Sequence, residues 1–271
     1  MTVKIAVANS KGGVAKTATT LGLGCCLAEL GYKTLLIDID HQANLSDDVG
    51  RGDEDYTITD LFENPKFDTN KIVYSALDAK TEIDNLYVIP ADITLAVEAR
   101  SAERFRHRLQ ILEDGIKRLK QSFDFILFDC RPAIDLPIEN ALLICDLLMV
   151  PVDMDKRATK GIDDLFDVTK EIKRTDDFQS LIVKTKVDSR NKVMFRAIEE
   201  ELSIKEYEVS EASISISENF KKASHKNRPL TYFASETKQH NEFRELSNEV
   251  LEKVSIKGNR FFELEAVSHG A

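Results

Sequence analysis

The chain has 271 residues, with 37 Lys+Arg against 47 Asp+Glu, a formal net charge of −10 and an isoelectric point near 5.1. Its 42% hydrophobic and 31% charged residues are enough to build a core and exclude global disorder. The acidity excludes a protein that wraps nucleic acid over its whole surface and leaves room for a local basic patch. No uninterrupted apolar run approaches the roughly 18 residues of a membrane span, and the start Met-Thr-Val-Lys-Ile is not a secretory leader. Cys25, Cys26, Cys130 and Cys145 form no C-x-x-C pair and read as reduced, buried thiols of a cytoplasmic protein.

Val3 to Ala8 is short and apolar and reads as a buried parallel strand. Thr17 to Leu30 reads as a helix with Gly31 at its stop position, and Thr34 to Ile39 as the second strand. Together they form a βαβ unit. The acidic stretch Ser46 to Tyr56 reads as a solvated loop, and Ile58 to Phe62 as a short helix. Leu86 to Ile89 is expected as a strand ended by Pro90, and Leu95 to Lys120 as a long helical region that Gly115 interrupts. Further strands are expected at Phe125 to Phe128, Leu147 to Val150 (ended by Pro151) and Leu181 to Lys184. Helices are expected at Val193 to Leu202 and, amphipathic, at Glu242 to Val254. These elements predict an α/β fold: one doubly wound, mostly parallel sheet flanked by helices, over residues 1–257, with 258–271 as a mobile tail.

Between the first strand and helix lies Asn9-Ser10-Lys11-Gly12-Gly13-Val14-Ala15-Lys16-Thr17. A loop there aims backbone N–H groups at an anion. Lys16 is placed to reach the β- and γ-phosphates of a nucleotide and Thr17 to offer its hydroxyl to Mg²⁺. The plain alternative is a Gly-Gly turn with two surface lysines. Gly22 and Gly24 lie inside the following helix and read as close helix–sheet contacts. The second strand ends Asp38-Ile39-Asp40, two acids two residues apart at the ligand end of the sheet. One is suited to order metal-bound water and the other to orient an attacking water. Asp129, after four apolar residues, has the form of a Mg²⁺-supporting acid.

Lys11 to Thr17 resembles the deviant Walker A loop, K-G-G-x-G-K-[ST], of the ParA/MinD family, with Ala15 in place of a glycine and Ala18 where a second hydroxyl is common. Asp38-Ile39-Asp40-His41-Gln42-Ala43-Asn44 resembles its switch I, D-x-D-P-Q-x-N, with His41 for proline. Asp129-Cys130-Arg131-Pro132 resembles its switch II, with Arg131 for proline. Met149-Val150-Pro151-Val152 followed by Lys160-Gly161, Thr185 to Arg190, and Arg228-Pro229-Leu230-Thr231-Tyr232 resemble later family segments, with Asn227 at a glycine position. The Soj-like ParA branch fits best.

The resemblance implies an ATPase that uses ATP and Mg²⁺. Lys11, Gly12, Gly13, Val14, Ala15, Lys16, Thr17 and Ala18 would hold the phosphates, and Lys186 and Asp188 would lie near the base. Thr17, Asp38 and Asp129 would serve the metal, and Asp40, Lys11 and Lys16 the chemistry. It also implies an ATP sandwich homodimer in which Lys11 reaches the other subunit's nucleotide, non-specific DNA binding, and a ParB-like centromere-binding partner that stimulates hydrolysis. Two basic groupings are candidates for DNA: Arg100, Arg104, Arg106 and Arg108 with Lys117, Arg118 and Lys120, and the family-placed Lys221, Lys222, Lys226 and Arg228. Solvated helix faces are the plain reading of both. Other readings are a MinD-like membrane-cycling ATPase, which needs a basic amphipathic C-terminal helix, a slow-hydrolysing nucleotide switch, and a metal-cluster enzyme. Phe261 and Phe262 read as a packing anchor, and His41 as an exposed loop residue or a pH-sensitive one.

Overall fold

A computed structural model describes residues 2–154, 159, 161–188 and 190–256. Lys160, Ser189 and the tail 258–271 with Phe261 and Phe262 lie outside them. The strands are β1 (Val3–Val7), β2 (Thr34–Asp38), β3 (Tyr74–Asp78), β4 (Thr81–Ile89), β5 (Phe125–Asp129), β6 (Leu147–Asp153), β7 (Gln179–Val187) and β8 (Val209–Ser215). The helices are α1 (Lys16–Glu29), α2 (Asn44–Asp48), α3 (Ile58–Glu63), α4 (Leu95–Ala102), α5 (Ile111–Lys117), α6 (Leu136–Ile144), α7 (Ile162–Lys173), α8 (Lys192–Ile204), α9 (Glu218–His225), α10 (Leu230–Phe233) and α11 (Lys238–Ile256). The strands form one sheet in the order β3-β4-β2-β5-β1-β6-β7-β8, parallel except for the β3–β4 pair.

Both faces of the sheet are covered, so its inner strands are apolar at successive positions rather than alternating. Val3, Ile5 and Val7 of β1 point to the layer formed by α1 and α11. Ala6 and Ala8 point to the layer that holds α3 to α7. Gly22 and Gly24 are close-approach positions, as expected. A Cβ on Gly22 would lie 2.5 Å from the Phe243 ring, and one on Gly24 would lie 2.6 Å from Leu36. The strand order reverses beside β1, and the crevice beyond the carboxyl ends of β1, β2 and β5 is where an open α/β sheet takes its ligand.

Four expectations need correction. Ser46 to Tyr56 is not simply a solvated loop: Asn44–Asp48 is a helical turn, and Ser46 is fully buried. Pro151 lies inside β6, paired with Val183, rather than ending it. The edge strands β3 and β8 went unread. The 95–120 region is two helices with a break between them, so Arg100, Arg104 and Arg108 do not share one helical face. The break spans residues 103–107, and beyond it the start of α5 rests on Asn140 of α6. The Asn140 amide donates to Arg108 O at 2.9 Å, and its carbonyl accepts from Leu112 N at 3.1 Å. Those are the two groups that a continuous helix would have bonded to each other. Gly115 does not interrupt α5. A Cβ there would meet Leu61 at 2.7 Å.

Candidate nucleotide site

The loop after β1 is held open from three sides. The Asn9 side chain, buried at the strand end, donates to Pro151 O at 2.8 Å and accepts from Lys11 N at 2.9 Å. The buried Thr185 hydroxyl of β7 donates to Val14 O at 3.0 Å. Gly13 has φ +75°, and Ala15, the residue before α1, has φ 67° and ψ 34°. Alternating conformations of this kind turn successive N–H groups into one concavity, at the positive end of α1.

Lys16 is 7% exposed, and its ammonium donates to Asn9 O at 3.1 Å and Lys11 O at 3.0 Å. Burial pushes its pKa down, while Asp129 pulls the other way. A buried cation resting on neutral carbonyls inside a ring of N–H donors is matched to an anion such as a phosphate. Lys11 turns the other way, with its ammonium on Asp153 at 2.7 Å.

Two carboxylates lie under the loop. Asp38 and Asp129 are register partners on the adjacent strands β2 and β5, and both are buried. Asp38 accepts from Asp40 N, Ser46 N and the Ser46 hydroxyl at 3.0, 3.0 and 2.7 Å. Asp129 accepts from Thr20 Oγ1 at 3.2 Å and also bonds Thr17. Burial pushes Asp38 up to about 7 and Asp129 well above the carboxylate range; the charge of Asp40 adds to the first, and those of Asp38 and Asp40 to the second. A pair of acids that resists double ionisation when alone is suited to back a divalent cation. The hydroxyl of Thr17 supplies the hard oxygen donor such a cation takes. Asp38's oxygens are already engaged by Asp40 N and by the Ser46 N–H and hydroxyl.

Asp40 lies on the rim of the same crevice, its Oδ1 accepting from Gln42 N at 3.0 Å. The crevice encloses about 720 Å³. Gly13, Ala15 to Ala18, Asp40 and Lys186 form one side of it. Lys221, Ser224, His225 and Arg228 form the other. Lys221, Lys222 and Lys226 are exposed. Arg228 differs: its guanidinium grips Asp78 of β3 at 2.6 and 2.9 Å, which makes it a structural tie rather than a free cation. Asn227 has φ 50°, which suits the glycine position it fills. Asp188 is not brought into the crevice. It is gripped by Arg190 at 2.6 Å, which pulls its carboxyl down to about 2.

Sequence reasoning missed several partners: Asn9, Ser46, Thr20 and Asp153. Asn9 carried the one usable signal, a polar residue closing an apolar strand. Asp153 reaches Lys11 from 142 residues away, and nothing local announces it. Cys130 is buried with its thiol pushed up by burial, in keeping with a packing role.

A family model described as an AAA domain matches residues 2–184. The sporulation initiation inhibitor protein Soj of Bacillus subtilis is 32% identical over 201 residues, which cover 72% of this chain and 77% of that protein. The chromosome partitioning protein ParA of Caulobacter vibrioides is 33% identical over 176 residues, which cover 62% of each. A solved structure described as a putative plasmid partition protein of Borrelia burgdorferi, bound to AMPPNP, superposes with a TM-score of 0.79 at 21% identity, covering 93% of this chain and 100% of that one. At that identity the likeness speaks for the fold alone. The chain belongs to the ParA/MinD deviant Walker A ATPase family, in its Soj-like branch. No helix among the described residues is long and apolar enough to cross a membrane.

Proposed function

We propose that the chain is a DNA-partition ATPase that hydrolyses ATP with Mg²⁺. Its ATP-bound homodimer binds DNA without sequence preference, and a ParB-like centromere-binding protein stimulates hydrolysis and release. The observation that carries this reading is the crevice itself, in which the phosphate loop and Asp40 face the basic helix α9.

The N–H groups of residues 12–17 and the α1 terminus receive the phosphates, and Lys16 exchanges two carbonyl partners for phosphate oxygens. Thr17, Asp129 and Asp38 would hold Mg²⁺, which would offset phosphate charge when bound. Asp40 orients the attacking water and accepts its proton. Lys186, which lines the crevice, lies beside the base. On dimerisation Lys11 leaves Asp153 for the other subunit's nucleotide. Lys221, Lys222 and Lys226 then meet DNA phosphates as two patches on one particle, whose avidity offsets the acidic remainder. The protein is cytoplasmic, and nucleoid-associated while ATP is bound.

Asp40→Ala is expected to keep ATP binding and lose partner-stimulated hydrolysis. Lys11→Ala should lose the ATP-dependent dimer in size-exclusion chromatography with light scattering. Stimulated turnover retained in Asp40→Ala removes the role given to that carboxylate. A second reading, a nucleotide switch with slow turnover, is favoured by one feature, the left-handed Ala15 in the phosphate loop.

A further inference from the structure

His41 and Arg131 depart from the motifs they otherwise match, and they touch each other. Arg131 Nη1 lies 3.2 Å from His41 Nδ1, and Arg131 Nη2 pairs with Asp135 at the start of α6. The contact joins the turn after β2 to the turn after β5, 90 residues apart in the chain. His41 Nδ1 also lies 3.5 Å from Asp40 Oδ1.

A guanidinium has only donors, so the Arg131–His41 bond has one direction: Arg131 donates and His41 Nδ1 accepts. The imidazole proton is thereby kept on Nε2. Asp40 Oδ1 then receives no hydrogen bond from His41 Nδ1, whose lone pair is taken by Arg131. Without Arg131, His41 is free to take the other tautomer and donate from Nδ1 to Asp40 Oδ1, which already accepts from Gln42 N, weakening the carboxylate as a proton acceptor. The Arg131 side chain is itself held in place by Asp135, and both are mostly buried.

We propose that Arg131 is a positioning residue for ATP hydrolysis: it fixes the tautomer of His41 and so keeps Asp40 available as a proton acceptor. The inference rests on the role given to Asp40 above. Its distinctive consequence is that removing His41 should undo the damage of removing Arg131.

The test measures partner-stimulated ATP hydrolysis by Arg131→Ala, His41→Ala and the double variant, with binding of a fluorescent ATP analogue as a check on the site. Arg131→Ala is expected to lower kcat about tenfold with KM nearly unchanged. His41→Ala should stay near the wild-type rate, and the double variant should return to within about threefold of it. Arg131→Ala leaves Asp135 without its cation, so the series is repeated with Asp135→Asn in place to keep the fold. A double variant as slow as Arg131→Ala alone, or an Arg131→Ala defect carried by KM, overturns the proposal. Asp40→Ala run alongside separates the two claims. If Asp40→Ala still turns over, both fall. If it is inactive while the double variant stays slow, only the role of Arg131 falls.

Discussion

Ala15 holds φ 67° immediately before α1, where an L side chain crowds the following carbonyl and glycine does not. The loop keeps that conformation because Asn9 and Thr185 fix it on either side. Ala15→Gly should raise the stability of the nucleotide-free protein by about 1 kcal/mol, read as a higher urea midpoint. An unchanged or lower midpoint would mean that the loop carries no strain at this residue. Burial also shapes the acids around switch I. It pushes Asp38 up to about 7 and Asp48 up to about 6. Both folded values lie above the unfolded one, so between about pH 4 and 7 the folded chain holds protons that the unfolded chain has released. Stability therefore falls as pH rises through that window. Without nucleotide, the urea midpoint should be lower at about pH 8 than at about pH 5.5, and Asp48→Asn should narrow the gap. A midpoint that rises with pH over that range contradicts the assignment.

At the scale of elements, one buried amide supports the start of a helix, α5. Asn140 receives Arg108 O and Leu112 N from the adjoining segment, so Asn140→Ala strands two backbone groups. The expected cost is about 2–4 kcal/mol, seen as a lower thermal midpoint, and Asn140→Asp, whose carboxylate cannot donate to Arg108 O, should lose at least as much. A loss under about 0.5 kcal/mol would show that water replaces the amide there. The inner strands β1, β2 and β5 were legible in the sequence because they are short apolar runs ended by Asn9, Asp38 and Asp129. The phosphate loop was legible because its chemistry is contiguous. The hairpin of β3 and β4 was not, because it turns at Ala79-Lys80, with φ 47° and 78°, where glycine or asparagine would have marked it. Nor was β8, an edge strand whose Ser210 and Ser215 are paid for by Glu249 and Glu242 of α11.

For the whole molecule the question is how a chain of net charge −10 would hold DNA as proposed. The structure narrows the surface involved. Arg228 is committed to Asp78, and the arginines after α4 do not form one helical stripe. The candidate face is thus α9, which exposes Lys221 and Lys222, with Lys226 just beyond it. The same helix walls the nucleotide crevice, and Asp48, in the turn after switch I, accepts a hydrogen bond from its Ser224. A basic helix in contact with the nucleotide switch suits DNA binding that depends on the nucleotide. The most direct test is retention on random-sequence DNA over a salt titration, with no nucleotide, ADP or ATP, for the wild type and Lys221→Glu/Lys222→Glu. The account predicts salt-sensitive retention of the wild type with ATP alone, and none for the variant. Retention that is equal in all three nucleotide states, or unchanged in the variant, would contradict it.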